Sequence, residues 1–341
     1  MRIVVKVGTS TLTHPSGHLN IRHMEEFCKV LSDLKNAGHE IILVSSGAIA
    51  MGMGKLSLRE RPSTVAGKQA AAAVGQCELM YIYDKLFSEY NHVVAQILLT
   101  AADVGDPVRK ANFTGTMRHL LDMQVLPIVN ENDTVATDEI TEGLIGDNDT
   151  LGAIVATSLS ADLLILLSDI DGLFTDDPRT AADARLIPVV PAITPELLAH
   201  AGGKGTQNGT GGMATKLKAA QISMDAGVDM VIANGKDPEI LYAIVEGAPI
   251  GTRFLGKERI GFHKLLCHCF NALHEVLRVG VSLCNQRQCI FPFRSQFRGS
   301  QIVRQDADKV DTVFGREKLF AFALHKAGVH QFFNDSGAGG R

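Results

Sequence analysis

The sequence predicts an α/β protein, an αβα sandwich with a mainly parallel central sheet, followed by a carboxyl-terminal tail of unassigned structure. Two observations predict it. Six short runs rich in Val, Ile and Leu, at 3–7, 41–44, 93–99, 125–129, 163–167 and 228–233, are continuous rather than alternating, the pattern of strands buried on both faces. Longer stretches with helical spacing separate them, and strands that alternate with helices build a parallel sheet covered on both sides.

Taken in chain order, each predicted strand hands over to a segment with chemical character. The first run, 3–7, carries Lys6 and turns at Gly8, Thr9 and Ser10. In a doubly wound sheet ligands sit at the carboxyl ends of strands, and glycine there lets the backbone approach a phosphate. A lysine inside a buried strand is costly without a charged partner, although a strand-end lysine can also reach solvent along its own methylenes. Met24, Phe27, Val30, Leu31 and Leu34 then follow helical spacing. The second run leads into Ser45, Ser46, Gly47, Ala48, Ile49 and Ala50, a small-residue turn into a helix. Amides at such a helix start suit an anion, and small residues also suit close packing of helix on strand.

The fourth run ends in Asn130, Glu131, Asn132 and Asp133, and Gly146, Asp147, Asn148 and Asp149 open the next helical stretch. These side chains suit an ammonium group, the orientation of lysines or proximity to Mg²⁺; each cluster alone also suits a turn or a helix cap. The fifth run passes through Ser168 and Asp169 into a turn-rich loop. Finally Gly209, Thr210, Gly211, Gly212, Met213, Ala214, Thr215 and Lys216 lead into a helix spaced by Leu217, Ala220, Ile222 and Met224. Glycine-exposed amides, a helix start and a lysine together suit phosphate oxygens. No Walker P-loop, Gly-x-x-x-x-Gly-Lys-Ser/Thr, occurs in the chain, and no Gly-x-Gly-x-x-Gly follows the first strand, which argues against a dinucleotide oxidoreductase.

Composition narrows the class. Charged residues are 21% and apolar residues 45%, ordinary for a globular chain, and the net charge of −4 leaves no electrostatic footprint for nucleic acid. No apolar run is long enough for a spanning helix, so no membrane partner is expected. The start Met-Arg-Ile-Val-Val-Lys has no secretory h-region, and Cys28 and Cys77 are isolated in the first 260 residues, so a reducing, cytoplasmic setting is expected. Composition shifts after about residue 260: residues 263–341 hold nine of fifteen Phe, four of six Cys, and eleven Lys or Arg against six Asp or Glu, net +5 against −9 for the rest. The expected division is a domain over 1–260 and a tail over 261–341. The spacing of Cys267, His268, Cys269, Cys284 and Cys289 fits no standard zinc finger.

The ordered set of motifs, from Lys6-Val7-Gly8-Thr9-Ser10 through Ser45-Ser46-Gly47-Ala48-Ile49 and Asn130-Glu131-Asn132-Asp133 to Gly211-Gly212-Met213-Ala214-Thr215-Lys216, resembles the amino acid kinase family over residues 1–256. It is most similar to the branch that acts on L-glutamate in the first step of proline biosynthesis. The resemblance implies transfer of the ATP γ-phosphoryl group to the glutamate γ-carboxylate, with Mg²⁺ as cofactor. It implies that Lys6 and Lys216 neutralise charge on the transferring group and that Asp149 orients both. Ser46, Asp133 and Asn148 would bind glutamate. Ser168 and Asp169 would lie against ATP, and Thr210, Gly211, Gly212, Met213, Ala214, Thr215 and Lys216 would hold its phosphates. A homo-oligomer, dimer or tetramer, and feedback inhibition by proline are also implied. No PUA-type domain is recognisable in the tail. The rivals are a kinase of the same family with another carboxylate or carbamate acceptor, and a nucleotide-binding regulatory module without turnover.

Overall fold

The computed structural model describes residues 1–257, apart from 15–17, 137–146, 177, 179, 182, 196 and 199–211. All of these belong to the first, Met1–Arg259, of the two units into which the chain divides. The zinc and domain readings of the tail, and the positions Thr210 and Gly211, lie outside the described residues.

Among the described residues the elements run in the order β1 (Arg2–Val7), α1 (Thr9–Leu12), α2 (Ile21–Asn36), β2 (Glu40–Ser45), α3 (Ala48–Lys55), α4 (Val65–Ser88), β3 (Val94–Leu99), α5 (Ala101–Gly105), α6 (Pro107–Asp122), β4 (Leu126–Glu131), α7 (Asn148–Ser158), β5 (Leu163–Ser168), β6 (Val189–Val190), α8 (Met213–Asp225), β7 (Asp229–Asn234), α9 (Ile240–Val245) and β8 (Thr252–Phe254). The strands form one sheet of order β3-β4-β2-β1-β5-β7-β8-β6, parallel except where β7 meets β8. Every predicted apolar run is a strand. The two short strands β6 and β8, at the far edge of the sheet, are additions.

Burial follows the apolar pattern. β1, β2, β4 and β5 are buried almost throughout because each is flanked by strands and covered by helices on both faces. β3, an edge strand, is only partly buried. The two faces form separate cores. One packs α7 and α8 against Val4, Ile42, Leu164 and Ile232; the other packs α2 and α4 against Ile3, Val5, Leu43 and Ile165. The alternation of Val4 and Val5 between these cores is the period-two geometry of a strand.

Helix ends explain how the chain is aimed. Asn20 caps α2, Thr64 caps α4 and Asp106 caps α6, each side chain accepting a main-chain N–H from the first turn. α3 and α4 cross so closely that a Cβ on Gly75 would lie 1.8 Å from Ala48 O, and one on Gly52 equally close to Ala71 O. The small residues after β2 therefore include a packing device, which fixes the start of α3 beside the carboxyl end of β2.

The sheet order also locates a ligand crevice. From β1 the chain crosses to β2 on one side and later to β5 on the other, so the strand order reverses next to β1. In open α/β sheets the carboxyl ends of strands at such a reversal form the binding crevice.

Candidate active site

Lys6 is the penultimate residue of β1, paired in register with Val44 and Leu166 on the neighbouring strands. It is only 8% exposed, so its ammonium group needs a partner inside the fold. That partner is Asp149, whose Oδ1 lies 2.5 Å from Lys6 Nζ. The other carboxylate oxygen, Oδ2, accepts from Lys216 Nζ at 2.9 Å. Thus the buried strand-end lysine does not snorkel to solvent, and a residue 210 positions further on (216 − 6) shares its counter-ion.

α7 holds Asp149 in place. Asp147 Oδ1 accepts the main-chain N–H groups of Asp149 at 2.7 Å and Thr150 at 2.9 Å, which caps the helix. Of the two sequence alternatives for this cluster, both are realised, by different residues: Asp147 caps, while Asn148 and Asp149 turn toward the crevice. α7 packs directly over β1 at Gly152, where a Cβ would be in ordinary contact with Lys6 Cβ at 3.5 Å. Burial by itself pushes the Asp149 carboxyl up, but Lys6 and Lys216, through charge and hydrogen bonds, outweigh it and hold the group below its ordinary range. The helix N-terminus adds partial positive charge of the same sense.

Lys216 comes from the first turn of α8, whose cap, Gly212, offers no side-chain hydrogen bond. Thr215 Oγ1 donates to Gly212 O at 2.8 Å and approaches Asp149 Oδ2 at 3.5 Å. Met213 and Thr215 are half-buried, and Gly212 and Ala214 exposed, so this turn presents main-chain and small side-chain surface beside the lysine. At Gly8 a Cβ would sit 3.6 Å from Lys6 Nζ, filling space beside the ammonium group.

A second group of side chains adjoins this trio through Asn148. Asn148 Nδ2 donates to Ser46 Oγ at 2.8 Å, Asn130 Oδ1 at 3.0 Å and Ser45 O at 3.3 Å. Ser46 follows β2, and Gly47 after it has φ +102, a left-handed turn that L side chains rarely adopt. Asn130 Nδ2 in turn donates to Gln76 Oε1 at 2.8 Å. Asp133 lines a small cavity together with Ala48, Ala72, Gln76, Glu131 and Asn132. Among the sequence candidates, Ser46 and Asn148 are therefore in direct contact, and Asp133 stands on the wall of the cavity that Gln76 also lines.

Ser168 and Asp169 mark the carboxyl end of β5, next to β1, where Ser168 Oγ donates to Asp169 Oδ1 at 3.0 Å. They share with Lys6 the carboxyl-terminal end of the sheet, on the neighbouring strand. Asn234, which ends β7, donates to Asp171 Oδ1 at 2.7 Å and closes the same edge.

Sequence reading passed over two members of this region. Gln76 sits in an Ala-rich helix, where its one signal was a polar residue at helical spacing among Ala72, Gly75 and Leu79. Tyr83, two turns beyond Gln76 in the same helix, is fully buried and shares a 2.9 Å hydrogen bond with Ser45 Oγ. Among the described residues no cluster of three or more His, Cys, Asp or Glu suits a metal ion, and both oxygens of Asp149 are engaged by lysines. Cys28 and Cys77 are free thiols. No described helix is long and apolar enough to cross a membrane.

Comparison with known proteins agrees with this architecture. The model of the amino acid kinase family matches residues 1–234. A glutamate 5-kinase of Clostridium perfringens is 53% identical over 258 residues, covering 75% of this chain and 96% of the relative. One from Clostridium tetani is 54% identical over 252 residues, 74% of this chain and 93% of the relative. One from Listeria monocytogenes is 51% identical over 258 residues, 75% and 94% respectively. Among solved structures, the isopentenyl phosphate kinase of T. acidophilum superposes with a TM-score of 0.51 at 18% identity, covering 74% of this chain and all of that one. The UMP kinase of Bacillus anthracis gives 0.51 at 15% identity, covering 75% and 96%. At such identities these two speak for the fold alone. The strand order, the lysine trio and the close relatives converge, and the chain belongs to the amino acid kinase family, within it to the glutamate 5-kinases.

Proposed function

We propose that residues 1–260 transfer the γ-phosphoryl group of ATP to the γ-carboxylate of L-glutamate, giving ADP and L-glutamyl 5-phosphate, the first step of proline biosynthesis. Lys6, Asp149 and Lys216 carry the transfer. The observation behind this assignment is the convergence of two buried lysines on one carboxylate at the carboxyl end of β1.

The chemistry asks for what this arrangement offers. A carboxylate acceptor is already ionised at neutral pH, so the reaction needs no general base. It needs two anions brought into line and their repulsion offset, which is positioning plus electrostatic stabilisation. In the proposal Lys6 and Lys216 face the transferring group from two sides, and Asp149 keeps their ammonium groups at a fixed separation before substrate arrives. That preorganisation matters because charges already in place need not reorganise as the transition state forms. The turn from Thr210 to Lys216 cradles the phosphates, and Ser168 and Asp169 lie against the nucleotide. Ser46, Asp133 and Asn148 hold glutamate. When bound, Mg²⁺ would be held by the phosphate oxygens of ATP and would supply further neutralisation of their charge.

We further place the enzyme in the cytoplasm, where ATP and glutamate are supplied, as a homo-oligomer subject to proline feedback. Small molecules, not nucleic acid or membrane, are its partners. The test is ADP release with ATP, Mg²⁺ and a panel of acceptors. L-glutamate is expected to drive turnover, whereas aspartate, N-acetylglutamate and carbamate are not. Preference for any of those three would assign the site to another acceptor, and ATP binding without turnover would make the chain a regulatory module.

A further inference from the structure

The amide network beside the lysine trio ends in two polar atoms whose identities are set by main-chain groups. Glu131 N donates to Asn130 Oδ1 at 2.9 Å, and a main-chain N–H can only donate. Asn130 must therefore present Nδ2 to Gln76, and that contact uses Gln76 Oε1. Gln76 Nε2 is left buried with no hydrogen-bond partner, on a side chain whose residue is only 8% exposed. At the other end, Asn148 Nδ2 donates to the main-chain carbonyl of Ser45, so the open atom there is the acceptor Oδ1, also buried and unpartnered. Buried polar groups in native folds find partners, and one that does not is a candidate for a ligand contact. Gln76 lines the small cavity that Ala48, Ala72 and Asp133 also border.

We propose that Gln76 is a specificity-determining residue whose Nε2 donates to the α-carboxylate of the acceptor amino acid. The inference rests on the glutamate kinase reading and adds to it a residue outside the motifs. The γ-carboxylate has to reach Lys6 and Lys216, beside Asn148. Gln76 stands two hydrogen bonds away from Asn148, through Asn130, so the anionic group that meets it is the substrate's other carboxylate. Asn148 Oδ1 and Asp133 are acceptors and match the α-ammonium group. Gln76 and Asp133 on the cavity wall, with Asn148 reached from Gln76 through Asn130, thus offer a donor and acceptors in the pattern of a zwitterionic amino acid head. Gln76 has the amide orientation for a carboxylate because Asn130, itself locked by Glu131 N, holds its oxygen.

The test compares L-glutamate with L-isoglutamine, which keeps the ammonium and γ-carboxylate but carries an α-carboxamide. The carboxamide oxygen can still accept from Nε2 but lacks the charge that strengthens the bond to a carboxylate, so native enzyme should prefer L-glutamate in kcat/KM by about tenfold or more. Gln76→Glu still accepts from Asn130 but now presents an acceptor to the α-substituent. Its preference for L-glutamate should fall by at least about tenfold, through a raised KM for L-glutamate with the KM for ATP unchanged. Gln76→Met, which buries no charge, should narrow the preference in the same direction and covers the case in which Gln76→Glu fails to fold. Equal losses on both acceptors, or an unchanged KM for L-glutamate, would overturn the proposal by reducing Gln76 to a structural role. Native enzyme that released no ADP with L-glutamate would overturn the underlying reading and this inference with it.

Discussion

Lys216→Met is expected to leave the domain folded and to lower glutamate-dependent ADP release by roughly a hundred- to a thousandfold, the loss typical when one preorganised charge is removed from a transition state. The fold should stand for two reasons. Methionine is a good helix former and fits the first turn of α8, where Lys216 is buried beside Leu217. Asp149 keeps Lys6 as a counter-ion, so no isolated charge is left in the interior. The loss should therefore fall on kcat far more than on the melting temperature. Equal turnover by Lys216→Met and native enzyme would remove the lysine from the chemistry.

Asp149→Asn is expected to cost both activity and stability, which separates it from the lysine variant. The carboxylate is almost fully enclosed, and its loss leaves two ammonium groups facing each other without the acid that holds them. Breaking a buried pair by removing one partner costs about 3–5 kcal/mol, so a large drop in denaturant midpoint should accompany inactivation. The pH dependence follows from the sign of the shift. Asp149 is held below its ordinary range by the lysines, so its contribution is fully present above the unfolded carboxyl value of about 3.9 and is lost as pH falls through the lower folded value. The stability gap between native enzyme and Asp149→Asn should stay constant from neutral pH down to about 5 and shrink only in stronger acid. A gap that opened or closed near pH 7 would mean that another group titrates there.

What the sequence disclosed, and what it withheld, divides along physical lines. The runs that became β1, β2, β4, β5 and β7 were legible because burial on both faces demands uninterrupted apolar residues. β6 is two residues long and half exposed, and β8 is three, too short for any period to register. Helix α2 was legible from Met24, Phe27, Val30, Leu31 and Leu34, all buried. For the site, Lys6, Asp149 and Lys216 stood in glycine-rich or acidic motifs that signalled strand and helix ends. That the two lysines share one carboxylate is a fact of strand order, which no local pattern carries. Gln76 shows the limit most clearly. A glutamine among alanines reads as a surface-facing helix residue until β4 brings Asn130 against it, 54 positions away. The small-residue turn at 45–50 read equally as anion-binding turn or packing surface; Ala48, like Gly52 beyond it, proves to serve the crossing with α4, while Ser46 meets Asn148.

The central claim is that this lysine–aspartate–lysine trio moves a phosphoryl group onto the side-chain carboxylate of glutamate. An acyl phosphate is the product that claim requires, and hydroxylamine intercepts acyl phosphates as stable hydroxamates. Enzyme incubated with ATP, Mg²⁺, L-glutamate and hydroxylamine should form γ-glutamyl hydroxamate in step with ADP, with neither appearing when L-glutamate is omitted. ADP release that is independent of L-glutamate, or that proceeds without hydroxamate, would contradict the account.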